Sequence, residues 1–323
     1  METKQTKPVR KAMILMGGLG TRFLPATLCL AKELFPIGNK PIVMYHIADL
    51  IKAGVTDIMI VGNVLKEDSI RGFFNPSEDY LNRIKQDGKE SQLDEFNELL
   101  SQVKISYINQ DDPEYTIDGV TYQNEGLGHR GSAIAILAAR GWANGEPFVV
   151  LNGDDLCFYP DGTSMTQEVI DVYHKTGDCV IYGKELPREV MSSYSSMVLG
   201  KFVDGNTKGR KMLDIIEKPP KGTEPSNVMG FCRYILDERF MQNVFNVQKR
   251  GGGEYNMTDV IQKLAQAGQM STCLFTGDYF DCGSMSGYAL ANAYVAMNDP
   301  KTHAAVKEGL EKMCKTPEEK QKQ

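Results

Sequence analysis

Three segments within the first 63 residues constrain the fold of this chain more tightly than anything else in it. Residues 11–17, KAMILMG, form a short continuous apolar run closed by glycines, the pattern of a strand buried on both faces. Residues 41–54, PIVMYHIADLIKAG, carry apolar side chains at helical spacing, with Pro41 at the start and Gly54 at the end. Residues 55–63, VTDIMIVGN, are a second buried-strand run. Strand, helix and strand in this order predict a parallel βαβ unit, because parallel neighbours need a crossover of a dozen or more residues.

The alternation continues less evenly. Residues 66–102 are charged and mostly helical in pattern, 103–110 read as a strand, and 128–143 have the Ala/Ile/Leu content of a buried helix. Strands are expected at 147–155, ending in two aspartates, and at 178–183. Beyond about 190 come strands at 211–219, 229–236 and 270–277, and a helix at 258–268 capped by Thr258 and ended by Gly268. The polar, aromatic segment 111–125 reads as a long loop or an extra hairpin. The expected fold is α/β: a Rossmann-like mixed, mostly parallel sheet flanked by helices. The last twenty or so residues are Lys/Glu-rich and are expected to fray.

With 323 residues, the chain has room for one large α/β domain or two smaller ones. It has 36 Lys+Arg against 42 Asp+Glu, a net charge of -6. That argues against a nucleic-acid or membrane-surface binder, which would show a basic excess. An anionic ligand would therefore need locally concentrated positive charge. The seven cysteines include no CxxC pair, and most sit in apolar runs, so they read as reduced core or near-core residues. The basic N-terminus leads into too short an apolar run for a signal peptide, and no run reaches the length of a membrane span. A cytoplasmic chain is the expectation.

Four motifs carry chemistry. Gly17-Gly18-Leu19-Gly20-Thr21-Arg22 follows the first strand, and ten residues later comes Lys32. Glycines let backbone N–H groups approach phosphates, and two flanking cations suit a triphosphate; the alternative is a tight turn with surface charges. The motif lacks the GK[ST] of a P-loop, and Phe23 stands where the dinucleotide fingerprint needs a third glycine. No acidic residue ends the second strand, where VGN stands, so a dinucleotide-dependent oxidoreductase is disfavoured. Asn152-Gly153-Asp154-Asp155 follows a strand, where an aspartate suits Mg²⁺ or a plain turn. Glu217-Lys218-Pro219 ends another strand and reads as sugar and phosphate ligands or as a solvated ion pair. Asp281-Cys282-Gly283 offers a second metal ligand or a helix cap.

The ordered set GGLGTRFLPAT, AKELFPIGNKP, GLGH, GDD, EKP, PSN, GGGEYNMTD and YFDCG resembles the bacterial UTP–glucose-1-phosphate uridylyltransferases, or UDP-glucose pyrophosphorylases, of the sugar-nucleotidyltransferase superfamily. The resemblance covers residues 10 to 298 and implies the nucleotide-diphospho-sugar transferase fold. It also implies an N-terminal extension (1–10), a single nucleotidyltransferase domain (11–298) and a charged C-terminal tail (299–323). Within the domain, 11–185 would form the nucleotide-binding half and 186–298 the sugar-binding half.

By the same resemblance, Gly17, Gly18, Gly20, Thr21 and Arg22 would cover UTP, and Lys32 would hold triphosphate oxygens. Gln110 would read the uracil edge with Gly126 against the base. Asp154 and Asp281 would bind Mg²⁺. Glu217 would bind glucose hydroxyls and Lys218 the sugar phosphate, with Gly183, Asn227 and Glu254 lining the sugar pocket. Arg22, Lys32 and Lys218 would be the catalytic cations, and UTP and glucose 1-phosphate the partners of a homo-oligomer, a dimer or tetramer. Two departures touch the base site. The segment 111–125 makes Gln123 a rival for Gln110, and His129, which borders the nucleotide in this reading, is followed by Arg-Gly-Ser where small apolar residues are commoner.

Overall fold

The computed structural model describes residues 6–203, 205 and 208–314. Its backbone is organised by a nine-stranded sheet. In spatial order the strands are Ser195–Phe202, Gly209–Glu217, Met270–Leu274, Cys179–Glu185, Val228–Leu236, Phe148–Asn152, Lys11–Leu15, Asp57–Gly62 and Lys104–Asn109. Seven run in one sense; Gly209–Glu217 and Val228–Leu236 oppose them. The first strand lies between Asp57–Gly62 and Phe148–Asn152, parallel to both. This is the mixed, mostly parallel sheet expected from the sequence.

Alternation along each strand divides the core. Met13 and Met59 face one side with Ile136, Trp142 and Ile261, whereas Ala12, Ile14, Ile58 and Ile60 face the other with Val43, Ile47 and Val169. Helices therefore cover both faces, which explains why KAMIL and DIMIV are apolar without a polar alternation. A third cluster around Phe35, Leu156 and Ala291 binds the antiparallel strand pair Asp155–Phe158/Asp278–Asp281 to the helix Met285–Asn298.

Several expectations change. The helix expected at 128–143 begins at Ser132, after Gly131 at φ 116, and breaks into Ser132–Leu137 and Arg140–Ala143. The cap of helix Met257–Gln266 is Asn256, whose side chain accepts the Thr258 N–H; Thr258 already lies inside the first turn. The segment 111–125 forms the hairpin Glu114–Ile117/Val120–Gln123, turned by Asp118 and Gly119, and its stacked, partly buried Tyr115 and Tyr122 pack against the core that holds Trp142. Five cysteines are buried and unpaired as expected, but Cys29 and Cys314 are exposed. Within the tail expected to fray, His303–Cys314 is a helix; residues 315–323 and 1–5 lie outside the described residues.

Candidate active site

The site gathers where parallel strands end. Lys11–Leu15 and Phe148–Asn152 are neighbours, so the glycine loop after the first and the GDD turn after the second emerge side by side. Gly153 N donates to Leu15 O at 3.0 Å, which closes that junction. The loop needs glycine at Gly20: φ is 66°, and an added β-carbon would lie 2.9 Å from Thr27 Cγ2. From there Thr21–Phe23 turns as a 3₁₀ helix and carries Arg22 outward.

Five titratable side chains converge. Lys32 Nζ bonds Asp154 Oδ2 and stands 3.8 Å from Glu33 Oε1. Arg22 Nη1 is 3.5 Å from Asp281 Oδ2. The backbone of Gly283 closes the ring. A β-carbon on it would be 2.2 Å from Asp154 Oδ2, 3.0 Å from Asp281 Oδ1 and 3.1 Å from Arg22 Nη2. Strand pairing delivers this arrangement: Asp155–Phe158 pairs with Asp278–Asp281, and Cys282 N donates to Asp154 O at 2.9 Å. The two carboxylates therefore face one space, from chain positions more than a hundred residues apart.

Electrostatics set the charge states. Burial works against the Lys32 ammonium, but Asp154 and Glu33 more than offset it and hold its pKa above the ordinary lysine value. Glu33 is almost wholly buried beneath Gly153, and its Oε2 finds no partner among the described residues. Burial pushes its carboxyl up to about 7, with Lys32 opposing and Asp154 adding to the shift. Asp155 is pushed up to about 6 by burial and by the neighbouring Asp154 charge, although Tyr279 and Asn152 donate to it. His46 faces Gly153 O at 3.2 Å and is driven down to about 3 by burial and then by Arg233, so it is neutral.

A group of polar and glycine residues adjoins this centre. Gln110, one residue past its strand, lies against Gly17, where an added β-carbon would be 3.1 Å from Gln110 Oε1. Gly18 approaches Lys32. Asn124 donates to Gln110 O at 2.9 Å and accepts from Gly126 N at 2.9 Å, so Gln110 and Gly126 belong to one network. Gln123 sits apart on the exposed hairpin, donating to Glu114 at 3.0 Å. His129 is exposed and packs its ring on Phe245 and Tyr255.

The remaining expected residues form a second set across the antiparallel strand Val228–Leu236. Gly183 pairs with Gly230, and Ser195 Oγ lies 3.1 Å from Gly230 O. Ser195 pairs in turn with Glu217, whose Oε2 accepts from Thr258 Oγ1 at 3.1 Å. Asn227 O accepts from Leu186 N, and Glu254 bridges Arg130 and Arg250 through backbone. Lys218 is exposed at φ 47, a conformation costly for a non-glycine residue and kept mostly where function requires it.

Sequence reasoning missed two contributors, Glu33 and Asn63. Glu33 was hidden beside Lys32, since a buried acid next to a cation has no distinctive spacing. Gly283 was named with Asp281, but its approach to Asp154 and Arg22 depends on partners distant in the chain. Asn63, in the VGN that lacks an acidic residue, donates to Gly17 O at 2.6 Å and anchors the glycine loop.

Two carboxylates facing one space fit Mg²⁺, which needs few protein ligands when phosphates and water supply the rest. Among the described residues no group of three acidic, His or Cys side chains could form a self-sufficient metal cage, and no helix is long and apolar enough to cross a membrane.

Residues 11–298 match the nucleotidyl transferase family model. A protein of Bacillus subtilis named UTP–glucose-1-phosphate uridylyltransferase is 34% identical, covering 91% of this chain and 93% of its own length. One of the same name from Pseudomonas aeruginosa is 30% identical, over 92% and 99%. Among solved structures, a UTP-bound UGPase from Acinetobacter baumannii superposes with a TM-score of 0.80 at 26% identity, over 94% of this chain and 98% of that one. A UDP-glucose pyrophosphorylase complexed with UDP-glucose gives 0.76 at 25% identity, over 90% and 100%.

Proposed function

This chain belongs to the nucleotidyl transferase family, and we propose that its site joins UTP and α-D-glucose 1-phosphate through the groups assembled around Gly283. The reaction is uridylyl transfer giving UDP-glucose and pyrophosphate. The observation that carries the assignment of residues is the meeting of Arg22, Lys32, Asp154 and Asp281 at the carboxyl ends of two parallel strands.

The sugar phosphate is already an anionic nucleophile, so the site needs no general base. One of its oxygens bonds to the α-phosphorus of UTP while the bond to the β-phosphate oxygen breaks, and the electron pair leaves with pyrophosphate. The difficulty is bringing two anions together, and the residues act by position and charge. Lys32 exchanges Asp154 for triphosphate oxygens, and Arg22 takes the same group from the far side of the glycine loop. Lys218 holds the incoming sugar phosphate, and Glu217, Asn227, Glu254 and the bare backbone of Gly183 accommodate glucose. Gln110 reads the uracil edge, with Gly17, Gly18, Gly20, Thr21 and Gly126 leaving room for base, ribose and phosphates. Asp154 and Asp281 would hold Mg²⁺, which when bound neutralises charge on phosphate oxygens. The half 11–185 thus serves the nucleotide and 186–298 the sugar, in a cytoplasmic enzyme.

The test is pyrophosphate release across nucleoside triphosphates and sugar phosphates with Mg²⁺. UTP with glucose 1-phosphate is expected to give the highest kcat/KM, and excess EDTA to abolish it. A preference for dTTP or CTP, or full rate in EDTA, would contradict the nucleotide or the metal assignment respectively.

A further inference from the structure

Helix Glu78–Gln86 buries none of its residues. Tyr80 and Leu81 on it are exposed, yet both border a cavity of about 950 Å³, at the upper end of small-molecule sites. Its other walls include Phe73, Phe74 and Phe96, packed edge to face with ring centroids 4.9 and 5.3 Å apart, and the start of helix Ile42–Lys52. None of the residues assigned to uridylyl transfer lines it.

Charge selects what it can hold. Lys40 and Glu95 are the charged residues among those lining it, and they already pair at 2.5 Å. An ionic ligand would shed water without meeting a free counter-charge. A neutral aromatic one would bury its rings on the phenylalanines and find amide hydrogen bonds at Asn39, Asn75 and Asn97. We propose that this cavity is a binding site for an uncharged, largely aromatic small molecule, separate from the transfer site.

Two fluorophores of matched shape test it. N-phenyl-1-naphthylamine is uncharged, and 1-anilinonaphthalene-8-sulfonate is its anionic counterpart. In titrations of the full chain, the neutral dye is expected to bind saturably at one per chain, at least tenfold tighter than the sulfonate, and to stay bound in saturating UTP. Gly72 borders the cavity, and a β-carbon there would meet nothing within 4 Å. Gly72→Phe therefore fills space at a helical position, and it is expected to weaken the neutral dye at least tenfold while transfer rates stay at wild type. Should that variant fail to fold, Leu81→Gln, on the exposed wall, is expected to weaken the dye severalfold. Equal affinity for the two dyes, displacement by UTP, or unchanged binding in the folded variant would overturn the proposal. Dye binding that falls as the chain is concentrated would also overturn it, since a second copy would then fill the cavity.

Discussion

Lys32 and Asp154 hold each other in the free protein, so each must change partner before phosphates are gripped. On the proposed assignment, Asp154→Ala and Lys218→Ala each lower kcat/KM by about 100-fold or more, roughly 3 kcal/mol of transition-state stabilisation. Initial-rate kinetics check this, and near-wild-type rates would remove the residue concerned from the mechanism. In the sequence Gln123 was a rival for Gln110, because the segment 111–125 separates Gln110 from the GLGH turn. Gln110 now lies on the glycine loop, and Gln123 is spent on Glu114. Gln110→Ala should therefore erode the preference for UTP over CTP, and Gln123→Ala should leave it intact, as read from the ratio of the two kcat/KM values. His46 belongs to stability. Its folded pKa, about 3, is depressed below the ordinary value of 6.5 by burial and Arg233. The unfolded chain thus binds the extra proton, and this contribution is whole above pH 6.5 and lost as pH falls toward 3. His46→Gln should flatten that part of the acid limb in urea denaturation measured from pH 7 to 4.

Elements are joined by a few buried polar groups, and Asp49 is the clearest case. It lies on helix Ile42–Lys52 and accepts the Met165 and Thr166 N–H groups at 3.1 and 3.2 Å, at the start of helix Met165–Thr176. Arg233, from the strand Val228–Leu236, pairs with it at 3.0 Å. Burial opposes the Asp49 charge, but Arg233 and the Thr166 hydrogen bonds overcome it and keep the carboxyl below its ordinary range. One carboxylate thus fastens two helices to the sheet, as a helix N-terminus favours. Breaking the pair leaves a buried charge unmatched, so Arg233→Met should cost about 3–5 kcal/mol in urea unfolding. Asp49→Asn in the same chain should restore part of that loss. At this scale the first strand, the second and the one before the GDD turn were legible, because strands covered on both faces carry unbroken apolar runs. The break between Leu137 and Arg140 was not, because an Ala/Ile/Leu run suits one long helix or two short ones equally. The 303–314 helix was missed because its apolar positions, Val306, Leu310 and Met313, stand among Lys and Glu residues that equally suit a frayed tail.

Across the whole molecule, helix Met285–Asn298 stands out: its apolar residues lie on every side, yet only Ala291 is buried. A helix apolar all round is normally covered. Met285 and Leu290 are 70% and 60% exposed here, which supports the proposed homo-oligomer with this helix at the contact. The chain is expected to elute above its 35.9 kDa mass, and Leu290→Arg to shift it toward monomer in light scattering. Monomer at high concentration for the wild type would exclude that interface.

By itself the sequence determined that the chain would build a mostly parallel sheet, and that glycine, aspartate and lysine motifs would fall at strand ends. Periodicity and strand-end position are local properties, written in consecutive residues. Only the tertiary structure decided which motifs meet. Antiparallel pairing of 155–158 with 278–281 brings Asp154 and Asp281 to one space, and the buried Glu33 completes it from below. Such meetings depend on strand order and on packing between residues far apart in the chain, which no local pattern encodes. The net charge of -6 shows the same division. It excluded a polyanion binder, and the sequence placed Arg22 and Lys32 near one loop, but only the fold set each of them against a carboxylate, Asp281 and Asp154.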